Sequence, residues 1–221
     1  MIHPNTFTFL NELKEHNVKE WFDENRGRYQ EARKNVIDVV DDIIDGIIDF
    51  DDSLRGIDPK KCLFRINRDV RFSANKDPYK TNFGASIAKG GKKSGYAGYY
   101  VNIDPSGCFA GGGFYMPPSP VLKKIREYID LNGERLEEII QEEKFVKTFR
   151  DIDRGPELKT APKGFPKDHP HIHLLRKKSF TAINSFSSKD FQKKNMVDEV
   201  VETFEALAPF VHFLNDAMDN S

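Results

Sequence analysis

The stretch FGASIAKGGKKSGYAGYYVNIDPSGCFAGGGFY, from Phe83 to Tyr115, decides the fold class of this chain. It holds three runs of strand-forming residues separated by turn signals. The runs are Phe83 to Lys89, Tyr96 to Ile103 and Cys108 to Tyr115. Gly90 to Gly95 fits a flexible hairpin loop and Asp104 to Gly107 fits a tight turn. The spacing therefore predicts an antiparallel meander.

Three consecutive glycines, Gly111 to Gly113, lie inside the third run. A glycine in a strand marks a bulge or a close backbone approach. These glycines do not form a P-loop, because the G-x-x-x-x-G-K-[ST] spacing is absent. Two interpretations stay open: aromatic rings pack closely over the glycines, or a ligand lies against the bare backbone.

Helical patterns precede the meander. We expect a first helix capped by Asn5 or Thr6, a short helix from Lys19 to Asn25, and a long helix from Arg28 to Asp49. The long helix has Val and Ile at a spacing of 3.6 residues and aspartates on its other face. Those aspartates are Asp38, Asp41, Asp42, Asp45 and Asp49. We interpret them as a solvated face, with a cation-binding or partner-binding surface as the alternative.

A fourth strand is expected from Ser179 to Phe186. The fold class is therefore α+β: an antiparallel meander sheet of about four to six strands with helices packed on it and helical terminal segments. The other segments are a helix from Ser119, capped there, to Asn132, helices from Glu134 to Gln141 and from Lys193 to Asp219, and an irregular segment from Arg150 to Pro170. Pro209 should kink or split the last helix.

The segment before the meander, Arg65 to Thr81 (RINRDVRFSANKDPYKT), is the densest in polar chemistry. Arginine offers a planar fork of donors that fits carboxylate or phosphate, and lysine adds a point charge. Between Arg55 and Lys93 there are eleven Lys and Arg residues against three Asp. Asp77-Pro78 is a turn signal, so Ser73 to Pro78 is expected to be a loop, which suits a binding site.

The first hypothesis is a cleft that binds a small anionic ligand bearing phosphate or carboxylate. Its candidate residues are Arg65, Arg68, Asp69, Arg71, Lys76, Asp77, Tyr79, Lys80, Gly112 and Arg126. The alternative is a structural or protein-interaction module whose Arg and Asp residues form an internal salt-bridge network. A third hypothesis is an enzyme of phosphate chemistry in which Asp69 and Asp77 hold a divalent ion.

Composition sets broad limits. With 221 residues and 38 % hydrophobic content, the chain can bury a full core, and one domain over residues 1–221 is expected. A net charge of −1 does not indicate a nucleic-acid partner. No stretch is long enough to span a membrane, no signal peptide is visible, and two cysteines are too few for a disulfide framework. We therefore expect a cytoplasmic protein, and the oligomeric state stays open.

The segment His169-Pro170-His171-Ile172-His173 contains three closely spaced imidazoles, a group that binds zinc, copper and nickel. Pro170 disturbs an extended strand, and Asp168 is the only acid nearby. We therefore interpret these histidines as surface residues or the start of a helix, and assign no metal.

Several motifs along the chain carry a resemblance to a known family. They are Asn17 to Phe22 with Asn25-Arg26 and Tyr29, Arg65 to Ser73, Asp77 to Lys80, Gly111 to Gly113, Leu122 with Arg126, and Pro162 to Phe165 before His169-Pro170. Together they resemble the conserved hypothetical proteins of domain of unknown function family 2461, found in bacteria and some fungi. The resemblance covers nearly the whole chain and implies one α+β domain. It implies no reaction, since no established activity comes with the family.

Overall fold

The sheet consists of four antiparallel strands in the order β1-β2-β3-β4. The computed structural model describes residues 1–152 and 155–220. The strands are β1 (Phe83–Ala88), β2 (Gly98–Ile103), β3 (Cys108–Phe114) and β4 (Phe180–Phe186). In the register, Tyr100 lies opposite both Ser86 and Gly111, and Gly111 lies opposite Ile183. The meander, the fourth strand and the α+β class predicted from the sequence are confirmed.

Helices make up the terminal regions and the connection between β3 and β4. They are α1 (Pro4–Glu15), α2 (Lys19–Glu24), α3 (Arg26–Ile48), α4 (Pro59–Cys62), α5 (Ser119–Gln141), α6 (Glu143–Phe149), α7 (Ile172–Leu175) and α8 (Met196–Asp219). Short 3₁₀ turns lie at Asp52–Leu54 and Asp190–Gln192. The segment from 155 to 170 contains no helix or strand, as predicted, while Asp153 and Arg154 lie outside the described residues.

One face of the sheet is covered by helix α8, which also packs against α3 and α5. The strand side chains on this face are fully buried, and they include Tyr99, Val101, Ile103 and Ala110. Their neighbours along the strands, such as Tyr100, Phe109 and Ile183, lie on the opposite face and keep some exposure. An antiparallel sheet tolerates this division between a dry and a wet face. The open face is where the candidate site lies.

Helix α3 confirms the interpretation of its two faces. Its apolar residues Val36, Val39, Val40, Ile43, Ile44 and Ile47 are buried. All five aspartates from Asp38 to Asp49 are exposed. The face that carries them is therefore solvated.

The starts of two helices differ from the sequence-based expectations. Helix α1 begins at Pro4 with His3 as its cap, because proline suits the first helical positions, where its missing N–H costs nothing. The Thr6 hydroxyl instead donates to Asn35 at 3.0 Å. Helix α5 has Pro118 as its cap, not Ser119.

Two further expectations concern helix interruptions. The predicted break at Asn132 is present as a kink, with non-helical backbone angles (φ −133°), and the helix resumes to Gln141. Helix α8 starts at Met196 and runs through Pro209 without splitting. The buried residues on both sides of Pro209, among them Leu207 and Phe210, hold one helical face against the sheet. That shared burial explains why the proline does not divide the helix.

Both cysteines, Cys62 and Cys108, are buried and free of disulfide bonds. Burial raises the pKa of each thiol to about 11, which keeps it protonated. Among the described residues, no helix has both the length and the apolar character needed to cross a bilayer.

Candidate functional site

A cavity of about 630 Å³ opens on the uncovered face of the sheet. Its size falls within the roughly 300–1,000 Å³ common for small-molecule sites. Six partly exposed aromatic side chains contribute to its lining: Phe64, Tyr96, Tyr100, Phe109, Phe114 and Tyr115. The polar lining comes from Asn82, Ser86 and Thr181, and the charged lining from Lys80 and Lys92. The cavity is thus an aromatic site with a small number of polar groups.

The glycine run of β3 is required by the sheet itself. A β-carbon at residue 111 would overlap the carbonyl oxygen of Ala182, and one at residue 113 would overlap that of Phe180. Gly113 also has a φ of +104°, which side-chain-bearing residues rarely adopt. Neither aromatic packing nor a ligand is needed to explain these glycines, because the neighbouring backbone already excludes side chains. Gly112 and Gly113 nevertheless line the cavity and leave part of it free of side chains.

Three rings form a continuous aromatic wall, defined here as Phe64, Tyr100 and Phe109. The Phe64 and Tyr100 ring centroids are 6.2 Å apart, and those of Tyr100 and Phe109 are 5.6 Å apart. Such separations are typical of favourable aromatic pairs. The Tyr100 ring lies across Gly84, where any β-carbon would overlap its hydroxyl. A ring therefore packs over Gly84, and within the β3 run the Phe210 ring comes within 3.1 Å of where a β-carbon of residue 113 would lie.

The two lysines lie at the Phe64 end of this wall. The Nζ atoms of Lys80 and Lys92 are 5.3 and 5.4 Å from the Phe64 ring centroid. Lys92 donates a hydrogen bond to the Leu63 carbonyl at 2.5 Å. Within residues 1–152 and 155–220, the Lys80 Nζ has no hydrogen bond or carboxylate partner, and no Asp or Glu lines the cavity. Burial, together with the charges of Arg65 and Lys92, lowers the pKa of Lys80.

Backbone pairing places Lys80 at this position. The Lys80 N–H donates to the Ile66 carbonyl at 2.8 Å, and Asn67 forms a bridge with Tyr79. The Asn17 side chain makes two hydrogen bonds with the Tyr79 backbone, both of 3.0 Å. The Tyr79 ring is buried and stacks on Phe22 with 4.1 Å between centroids. Tyr79 therefore anchors the segment in the core and does not line the cavity.

The cations of the loop between Arg68 and Asp77 make local contacts. Arg71 forms an exposed ion pair with Asp69 at 2.7 Å. The Arg68 guanidinium lies 3.4 Å from the Ser73 hydroxyl and 4.0 Å from Asp77. Lys76 donates to the Val70 carbonyl at 3.0 Å. These contacts hold the loop in shape, and none of the five charged residues lines the cavity.

Arg126 also makes structural contacts outside the cavity. Its guanidinium donates to the carbonyls of Leu175 and Lys177 at 2.8 and 3.1 Å, at the end of α7. Of the ten candidates from the sequence, the structure places Lys80 and Gly112 in the cavity lining. Arg65 is exposed near Lys80, and its charge contributes to the lowered pKa of that lysine.

A model of the family described as conserved hypothetical protein (DUF2461) matches residues 5–213. The chain belongs to this family. The resemblance drawn from its motifs is thereby confirmed. Searches of curated proteins and of solved structures found no match to the chain.

Several of the motifs that suggested the DUF2461 family converge beside the cavity. Asn17 and Phe22 each contact Tyr79, and Lys80 follows Tyr79 into the lining. Sequence reasoning missed Lys92 and the aromatic wall. The pair Tyr99-Tyr100 in β2 was the available signal. Neighbouring strand residues face opposite sides of a sheet, so one of the two rings had to lie on the open face.

In this DUF2461 protein, two imidazoles of the histidine segment lie within hydrogen-bond distance of carboxylates on α5. His169 lies 2.9 Å from Asp130, and His171 lies 2.7 Å from Glu137. Helix α7 begins at Ile172, so the interpretation as a helix start is confirmed. In the described part of the chain, no group of three or more His, Cys, Asp or Glu side chains has an arrangement that could hold a metal ion.

Proposed function

We propose that this protein binds a small anionic ligand in the cavity on the open face of its sheet, with Lys80 and Lys92 contacting the anion. One observation carries the proposal. Two lysines line an aromatic cavity to which the described residues contribute no carboxylate. A charged group in such surroundings gains most from a partner of opposite charge. A carboxylate or phosphate supplies that partner.

The lysines have donors to offer such a ligand. An ammonium group has three N–H donors, and among residues 1–152 and 155–220 Lys92 uses one of its three, with the Leu63 carbonyl as acceptor. Hydrogen bonds to charged groups contribute about 1.5–3 kcal/mol each. The Phe64 ring lies under both ammonium groups and limits their freedom, so less side-chain entropy is lost on binding.

The cations outside the cavity take a different role in this proposal. Four of these cations lie between Phe64 and Lys80, in a region with a strong excess of positive charge: Arg65, Arg68, Arg71 and Lys76. Such a field attracts an anion over a distance and speeds its association, and salt screens the effect. Their contribution is therefore expected in the association rate, whereas that of Lys80 and Lys92 is expected in the affinity.

A thermal-shift panel tests the proposal. Carboxylates and phosphates are compared with neutral analogues of the same shape, such as benzoate with benzamide, on the wild-type protein and on Lys80→Met. Binding to the native state raises the melting temperature. We expect anions to stabilise the wild-type protein more than their neutral analogues, with most of this difference lost in Lys80→Met. Equal stabilisation of both proteins by every anion in the panel would count against the cavity as the binding site.

A further inference from the structure

The open face of the sheet has a shape and chemistry that go beyond attraction of a charge. The aromatic wall leads away from the two lysines, with Phe64 next to them, Tyr100 in the middle and Phe109 beyond. A ligand held by its anion at the lysines therefore has its body beside aromatic rings. Flat rings bind such a surface through offset or edge-to-face contacts at centroid distances of roughly 4.5–7 Å.

The backbone beside the wall has few side chains. Gly98 and Gly113 are directly opposite each other in the β2–β3 register, and both line the cavity. Close strand packing excludes a β-carbon at either position. The result is a patch of bare peptide planes next to Tyr100. A flat ring can approach such a patch more closely than a bulky, flexible chain can.

Polar groups lie halfway along the wall. Ser86 and Tyr100 are register partners on β1 and β2, and both line the cavity. Within residues 1–152 and 155–220, neither hydroxyl has a hydrogen-bond partner. Burial raises the pKa of Tyr100, so its phenol stays protonated and can donate. These hydroxyls can form hydrogen bonds with the nitrogen and oxygen atoms at the edge of a heteroaromatic ring. A hydrocarbon chain has no atom that could form such bonds.

We infer that the ligand is a planar aromatic acid or aromatic phosphate, with its ring against Tyr100 and Phe109 and its anionic group at Lys80 and Lys92. This inference rests on the proposed function, because the lysines set which end of the cavity the anion occupies. Aromatic carboxylates and nucleoside monophosphates share this chemistry. The cavity volume of about 630 Å³ is within the range that accommodates compounds of this size.

Calorimetric titration with four probes tests the inference. The probes are 2-naphthoate, AMP, undecanoate, which has as many carbons as naphthoate, and the neutral 2-naphthalenemethanol. We expect at least one aromatic anion to bind more tightly than both undecanoate and the neutral ring. The tighter of naphthoate and AMP identifies the anion as carboxylate or phosphate.

Two variants and one control locate the ring. Tyr100→Leu and Phe109→Leu remove stacking but keep an apolar side chain, and each should weaken the aromatic anion about three- to tenfold more than it weakens undecanoate. Phe72→Leu is the control, since Phe72 is 97 % exposed and outside the lining. If Tyr100→Leu does not fold, Phe109→Leu carries the test alone.

The outcomes separate the inference from the function on which it rests. If undecanoate binds as tightly as the aromatic anions and Lys80→Met weakens all of them, the aromatic inference is overturned and the anion site remains. If no probe binds more weakly to Lys80→Met than to the wild-type protein, the anion site and the aromatic inference are both overturned. An aromatic preference that disappears in Tyr100→Leu and Phe109→Leu supports both.

Discussion

The Tyr100 ring lies across the backbone of Gly84, so closely that a β-carbon at residue 84 would overlap the phenolic oxygen. The two residues lie on adjacent strands of the open face, and both line the cavity. This contact fixes the middle ring of the aromatic wall. The position of the Tyr100 ring therefore depends on the absence of a side chain at residue 84.

Gly84→Ala should displace Tyr100 and weaken binding of any ligand that contacts its ring. We expect a loss of about 1–3 kcal/mol in unfolding free energy, because extra atoms in a packed site force neighbours out of place. Urea denaturation measures this loss. Gly27→Ala is the control: it lies in helix α3 with open space around it, so it should be neutral or stabilising by up to ~1 kcal/mol. A Gly84→Ala protein as stable as Gly27→Ala would show that the ring moves aside freely.

The Asn17 side chain should contribute strongly to the stability of the segment that positions Lys80. It pairs with both the N–H and the carbonyl of Tyr79, a buried residue. Asn17→Ala leaves both groups without these bonds and should cost about 1–3 kcal/mol. Asn75→Ala provides a matched control, because Asn75 bonds Asp77 in an exposed loop and its loss should cost less than ~0.5 kcal/mol. Similar denaturation midpoints for the two variants would refute this role of Asn17.

Asp51 and His212 should make stability depend on pH. The Asp51 carboxylate is 6 % exposed, accepts a hydrogen bond from the Tyr99 hydroxyl at 3.0 Å and lies 3.4 Å from His212. The hydrogen bond between His212 and Asp51 raises the pKa of His212 above the usual 6.5. Burial opposes ionisation of Asp51, but the bonds from His212, Ser53 and Tyr99 outweigh it and lower the pKa of the carboxyl.

The direction of each pH effect follows from these shifts. The histidine contribution is complete below its unfolded pKa of about 6.5 and disappears as pH rises through the higher folded value. The aspartate contribution is present above its unfolded pKa and disappears as pH falls through the lower folded value. Thermal melts between pH 6 and 9 should therefore show a fall in stability that His212→Gln reduces. A His212→Gln protein with the same pH profile as the wild-type protein would contradict this assignment.

The amine of Lys80 should titrate below that of Lys193. Burial, Arg65 and Lys92 lower the pKa of Lys80, whereas the hydrogen bond to Asp190 raises that of Lys193. Reductive methylation at a series of pH values, followed by mass spectrometry of each peptide, measures both midpoints. Arg65→Gln should move the Lys80 midpoint upward, because it removes a like charge. A Lys80 midpoint at or above that of Lys193 would show that the amine is not in the environment described.

The sequence was informative where structure depends on local pattern. Alternation and turn residues between Phe83 and Tyr115 predicted three strands whose bounds lie within two residues of those observed. The two faces of α3 followed from its 3.6-residue period. These features depend on neighbours along the chain, so one sequence is enough to predict them.

The composition of the site depended on contacts between distant segments. Charge density drew attention to Arg68 and Arg71, but their partners Asp77 and Asp69 lie in the same loop. Lys92 belongs to a hairpin loop and reaches the Leu63 carbonyl, 29 residues away. No local pattern indicates that approach. The sequence therefore predicted a basic region near the site, whereas the cavity lining required the folded chain.

We expect the anion to bind to the cavity lysines and not to the loop between Arg68 and Asp77. Calorimetric titration of 2-naphthoate into four proteins tests it most directly: the wild type, Lys80→Met, Lys92→Met and Arg71→Met. Each lysine variant should weaken binding about tenfold or more, from the loss of one charge-assisted hydrogen bond of about 1.5–3 kcal/mol. Arg71→Met should bind within about twofold of the wild type, because its exposed pair with Asp69 contributes little. The opposite pattern, with tight binding by both lysine variants and a loss in Arg71→Met, would place the anion on the loop and not in the cavity.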